Sequence, residues 1–122
     1  MDNWEIMTEL VKRQEKLTEG IVKTLRNVTL YKVSPYERVT PREGFSLGAC
    51  IGIRDEYHDR GTDRIYITVD VLTERKQASF WKLSEGKFEF ISYVEGKHLN
   101  DSDFRTAVSL KVLRLMEGID RM

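Results

Sequence analysis

Asp55, His58, Asp59 and Asp63 are the residues of this sequence whose types come closest to a metal site. Carboxylates and an imidazole are metal ligands in kind. Their spacing matches no HExxH, EF-hand or CxxC pattern. The stretch 55–63 lies between two strand-like segments, so it reads as the solvated tip of a hairpin. His98 has still less support. Cys50 is the sole thiol, and a cysteine nucleophile needs a base nearby. His58 is the nearest base in sequence, but eight extended residues hold the two roughly 25 Å apart. Cys50 is therefore expected as a buried, inert thiol. No metal, cofactor or catalytic residue is expected, and the chain is not read as an enzyme.

A third group could bind without reacting. Tyr31, Tyr66, Trp81 and Tyr93 are strand aromatics, with Lys32, Arg64, Arg75, Lys76, Lys82 and Lys87 on or beside the same strands. Aromatics interleaved with cations on a sheet can stack bases and track phosphates. Arg64, Tyr66, Trp81 and Lys82 are the candidate contacts. Alternation weakens the reading, since Trp81 and Lys82 point to opposite faces. Asp70, Glu74, Glu85 and Glu89 dilute the patch further. A last candidate is a small-ligand or enzyme site near Gly48–Gly52, where Ser46, Gly48, Cys50 and Gly52 make one side of a strand nearly smooth. Gly48-x-x-x-Gly52 is no phosphate loop, because no Lys-Ser/Thr and no helix follow it.

These side chains depend on a sheet whose surest strand is 64–72. Ile65, Ile67, Val69 and Val71 alternate with Arg64, Tyr66, Thr68, Asp70 and Leu72, which gives one apolar face. Strands are also predicted at 28–33, ended by Ser34-Pro35, and at 46–54, 77–84 and 88–94. Glu85-Gly86-Lys87 joins the last two, and 34–45 is the longest irregular segment.

A helix is predicted over 3–26, capped by Asp2 or Asn3. Its stripe is Trp4, Met7, Leu10, Val11, Leu17, Ile21 and Leu25, interrupted by Gln14. Packing on the sheet is favoured over a coiled coil. Gly20 permits a bend or a close contact. A second helix begins after Asn100, Asp101 or Ser102. Phe104, Val108, Val112, Leu115 and Ile119 share one face; Leu110 and Leu113 fall nearly opposite. A helix apolar on two sides calls for burial on two sides, one against the sheet and the other against the first helix or a second molecule.

The chain has 122 residues, one domain's worth. Its 20 basic and 20 acidic residues cancel, which removes any global field for nucleic acid or an anionic membrane. One cysteine rules out an internal disulfide and fits a reducing compartment, and no apolar run approaches membrane-spanning length. The acidic, amphipathic N-terminus has the wrong chemistry for a signal peptide. A cytoplasmic protein is expected.

The architecture predicted is α+β. An N-terminal helix, an antiparallel meander of about five strands and a C-terminal helix follow in order, with both helices on one sheet face. The inward set is Leu47, Ile51, Ile53, Ile65, Ile67, Val69, Val71, Phe104, Val108 and Leu115. The function expected is a non-enzymatic protein-interaction or regulatory domain, homodimeric through Leu110, Leu113 and Met116. Single-stranded nucleic-acid binding on the outer sheet face is the alternative.

Overall fold

The structure, a computed structural model, describes residues 2–37, 50–55, 64–71 and 76–118. Seven elements follow in order: α1 (Asn3–Val28), β1 (Lys32–Glu37), β2 (Cys50–Arg54), β3 (Arg64–Asp70), β4 (Gln77–Ser84), β5 (Lys87–Glu95) and α2 (Asp101–Met116). The strands form one antiparallel sheet in chain order, β1-β2-β3-β4-β5, so the α+β meander holds as predicted. The metal-like residues His58, Asp59 and Asp63, together with Leu47, Gly48, Leu72, Arg75 and Ile119, lie outside the described residues.

Both helices are fixed by their ends. At α1, the Asp2 carboxylate accepts from the Glu5 amide at 2.8 Å, and Glu5 sits at the positive end of the dipole. At α2, Asn100 Oδ1 accepts from the Asp103 amide at 2.8 Å. α2 ends at Met116 with Glu117 as its C-cap, and Gly118 follows with a φ of 72°, which suits the residue after a C-cap.

The first strand departs from the sequence reading. Residue 28 still belongs to α1, and β1 runs Lys32–Glu37, straight through Pro35. The reason is position. β1 is an edge, where a residue without an N–H costs no ladder bond, and the register slips between Ser34 and Glu37 around the proline. The last hairpin is also tighter than predicted. Ser84 pairs with Lys87, leaving a two-residue loop of Glu85 and Gly86 with φ of 51° and 77°. Positive φ at both central positions is what a type I′ turn requires.

The core lies between the helices and one sheet face. It unites Leu17, Ile21, Val22 and Leu25 of α1, Phe104, Val108 and Val112 of α2, and the inward phase Val33, Ile51, Ile53, Ile65, Ile67, Val69, Ala78 and Phe80. The predicted inward residues that are described are all buried except Leu115, which packs against the margin.

Two polar groups tie helices to this core. Gln14, 1% exposed, donates from Nε2 to the Val69 carbonyl at 2.5 Å. Lys76, expected on a basic surface, is instead buried. Its Nζ donates to the Leu99 carbonyl at 2.5 Å and to Asp101 Oδ1 at 3.0 Å, 5.6 Å from the Phe104 ring centroid. A loop before β4 and the start of α2 are thereby pinned together by one charge-assisted contact.

Gly20 marks a close helix approach. A Cβ there would lie 2.7 Å from Arg105 Cδ. Further along, the charge of Glu117, beyond the end of α2, reaches Tyr31, beyond the end of α1. The two helices therefore run side by side in the same direction. Asp101 stands abreast of roughly residue 16 of α1, four residues back from the Gly20–Arg105 crossing.

Candidate interaction surfaces

The helices cover the apolar part of the inner face, so recognition chemistry is sought where apolar groups remain outside it. The first such place is the start of α1. Measured by the 100° step of a helix, Trp4, Met7, Leu10 and Val11 continue the arc that Gln14, Leu17, Thr18, Ile21, Val22 and Leu25 direct into the core, and Ile6 borders it. Burial begins only at Gln14. Trp4 is 79% exposed, Ile6 and Met7 are exposed, and Leu10 and Val11 are half-buried. The sequence predicted one stripe on one core. The structure divides it, because α1 spans 26 residues, about 39 Å, whereas a seven-residue strand such as β3 spans roughly 23 Å.

The second place is α2. Leu110 is 56% exposed, Leu113 is half-buried and Met116 packs against the core margin. The first helix therefore does not cover the side that carries Leu110, which leaves a second molecule as the cover expected for it. α1 meets α2 along the Gly20–Arg105 line and leaves Leu110 in solvent. Met116 belongs with the core rather than with Leu110.

The third place is the outer sheet face, whose residues fall into rows across the strands. Lys32, Arg54 and Arg64 share one row. Ser34, Gly52, Tyr66, Trp81 and Phe90 share the next. Cys50, Thr68, Ser79 and Tyr93 follow, and Asp70, Gln77 and Glu95 close the face. It thus runs from basic to acidic with aromatics between. Trp81 meets Phe90 edge-on at 5.5 Å, and Phe90 stacks on Tyr93 at 6.4 Å. The indole Nε1 of Trp81 donates to Thr68 Oγ1 at 2.9 Å, which ties the ring to the neighbouring strand β3. Phe90 and Tyr93 are exposed, and Tyr66 meets Phe88 edge-on at 5.2 Å.

The four residues proposed to contact nucleic acid do not form one platform. Tyr66 is 3% exposed and has no free ring face for a base. Lys82 pairs with Ile65 and takes the opposite phase from Trp81. Arg64 pairs with Arg54 in the register, and of Tyr66, Trp81 and Lys82 only Trp81 is both outward and partly accessible.

Phe90 was missed by the sequence reading. The signal was an irregularity that no sequence period displays: Trp81 pairs with Phe90 but Phe80 with Ser92, so Ile91 is an extra residue. It turns inward to the core, which leaves Phe90 and Tyr93, three apart, on one face.

Cys50 is buried beside Thr68, as a thiol behaving as a small hydrophobe should be. Gly52, also buried, lies between Ser34 and Tyr66 in the register. Among the described residues no three His, Cys, Asp or Glu side chains are placed to hold a metal ion. Among them, too, no helix is long and apolar enough to cross a membrane. The chain matches no family model, and no curated protein or solved structure is significantly similar to it.

Proposed function

We propose that this chain is a non-enzymatic protein-interaction domain. The observation that carries the reading is the first half of α1, whose apolar arc runs on past the core with Trp4 79% exposed. A helix that ends its own packing usually ends its stripe, since exposed apolar area of this kind marks contact sites. Leu110 and Leu113 on α2 offer a second contact, with Met116 at its buried margin. A cytoplasmic setting fits the single reduced thiol.

The test is a photo-crosslinking side chain at position 7 of the full chain, compared with the same group at position 12 on the solvated side. A protein adduct at position 7 and none at position 12 is expected. Absence of any protein adduct at position 7, in the cells that make the protein, overturns the reading.

A second reading, single-stranded nucleic-acid binding, is favoured by the basic row Lys32, Arg54 and Arg64 beside the aromatic row. Against it, the buried Tyr66 stands between those cations and the exposed Phe90–Tyr93 pair. A mobility shift that weakens steeply with salt would favour this reading over the first.

A further inference from the structure

We propose that the outer sheet face around Trp81, Phe90 and Tyr93 takes an arginine side chain of a partner protein. This surface is separate from the stripe of α1, and either can be engaged without the other. The three rings form one run. Trp81 meets Phe90 edge-on at 5.5 Å, and Phe90 stacks on Tyr93 at 6.4 Å. Phe90 is 47% and Tyr93 55% exposed, and Trp81 is partly accessible. The extra residue Ile91 is what puts Phe90 and Tyr93 on the same face. A bulge gives up ladder pairing to re-aim side chains, and here it aims two large rings at solvent rather than at the core.

The surroundings select the charge of the occupant. Aromatic ring faces are electron-rich and attract cations. On one side the rings border Gln77 and Glu95. Glu95 is exposed and stands two residues from Tyr93, roughly 7 Å along the strand. On the other side the neighbours on β4 and β5 are Leu83 and Phe88, which carry no charge. Lys82 and Lys87, the cations of those two strands, take the opposite phase, and Lys97 lies beyond the end of β5. Among the described residues the one cation over a ring is Lys76 at Phe104, inside the core. A phosphate brought to the three rings meets the Glu95 carboxylate, whereas a guanidinium is drawn to it. Arginine suits both parts of the surface, because its plane stacks on an aromatic face and its fork matches a carboxylate. The bond from Trp81 Nε1 to Thr68 Oγ1 orders the indole before any contact forms, which lowers the entropy lost on binding.

The experiment titrates the full chain with capped Gly-Gly-X-Gly-Gly peptides, X being arginine, lysine, leucine or glutamate, and follows the amide and indole N–H resonances by NMR. The chain has two tryptophans. The Trp81 indole reports on the sheet face and the Trp4 indole on α1. The arginine peptide should shift Trp81 and the amides of Ser79, Phe90 and Tyr93, with a Kd on the order of 1 mM, as one exposed cation–aromatic contact beside a carboxylate allows. The lysine peptide should bind more weakly, since an ammonium does not stack. The leucine and glutamate peptides should leave Trp81 unmoved. Tyr93→Leu keeps apolar area and removes the ring, and it should weaken arginine binding roughly tenfold. Glu95→Gln should weaken it roughly threefold. Circular dichroism shows that both variants are folded.

Equal shifts from the leucine peptide mean an apolar contact without charge selection and overturn the proposal. A Trp81 shift from the glutamate peptide overturns it too, as does oligodeoxythymidine that displaces the arginine peptide, which returns the face to the nucleic-acid reading. Shifts at Trp4 alone place arginine on α1, overturning this site while the interaction reading stands. A Trp81 resonance unmoved at about 20 mM arginine peptide, well above the millimolar affinity expected, leaves the face without this ligand and overturns the proposal outright. Arginine binding that neither Tyr93→Leu nor Glu95→Gln changes overturns the assignment to these residues.

Discussion

The two halves of α1 carry the same pattern and meet different fates. From Gln14 to Leu25 the apolar arc is buried; from Trp4 to Val11 it is not. Residue type does not separate them, since Leu10 and Val11 are as apolar as Leu17 and Val22. What separates them is what lies opposite. The second half faces a sheet and a neighbouring helix, and the first half lies past the level at which α2 starts. Amphipathicity therefore specifies that a face will be covered and does not specify by which chain. Most helix stability comes from such cover, and a three-turn piece without it is marginal in water. The first half of α1 is thus the part of the fold whose order should depend on a partner.

Substitutions that treat the two halves alike should separate them. The largest effect is expected from Ile21→Ala or Leu25→Ala, each emptying a fully buried site. Each should cost about 2–5 kcal/mol in urea unfolding. Met7→Ala, measured at a concentration where the chain is monomeric, should stay within about 0.5 kcal/mol of wild type. A Met7→Ala cost as large as that of Ile21→Ala would mean that the two halves share one core.

Gln14 stands at the boundary. Gln14→Ala removes the bond to the Val69 carbonyl and leaves that group without its side-chain partner. A loss of about 1–3 kcal/mol is expected. A neutral result would show that the core does not begin at this residue.

The two N-caps sharpen the contrast. Asn100→Ala should lower global stability by about 1 kcal/mol, because α2 starts on the core. Asp2→Ala removes an equivalent bond from the overhanging end. In the monomer it should speed amide exchange at residues 5–8 and leave the urea midpoint unchanged. Equal midpoint shifts for the two would contradict the division of α1.

The smallest effect concerns Tyr31, just beyond the buried half. Burial, and then the charges of Glu117 and Asp55, raise its pKa above the ordinary value of 10.0. The folded state thus retains this proton to higher pH than the unfolded chain does. The associated stability is fully present below pH 10 and is lost as pH rises through the folded pKa. Tyr31→Phe should flatten the alkaline limb of a stability–pH curve. An unchanged alkaline limb would show that Tyr31 is not held by these neighbours.

Much of the fold was legible because it rests on local periods. Ile65 to Val71 alternate without a break, and Asn100 sits where a cap must. What escaped depends on neighbours far along the chain. Pro35 was read as a stop because proline lacks a donor, yet an edge strand has no use for that donor. Lys76 was read as surface because lysine usually is, whereas two oxygens and a ring enclose its charge. Leu110 was rightly singled out as off the main face, but periodicity said nothing of whether anything in the chain would cover it. The exposed pair Phe90–Tyr93 came from one inserted residue, Ile91, which shifts the phase of β5 without altering its composition. Of the surfaces, the stripe of α1 was fully visible in sequence. Its overhang was not, because that depends on where α2 and the sheet end.

The most direct test of the division of α1 is hydrogen exchange of its amides in the full chain. Residues 14–28 should be protected, and residues 7–13 should exchange roughly tenfold faster or more. Protection of residues 7–13 as strong as that of residues 14–28 would contradict the account.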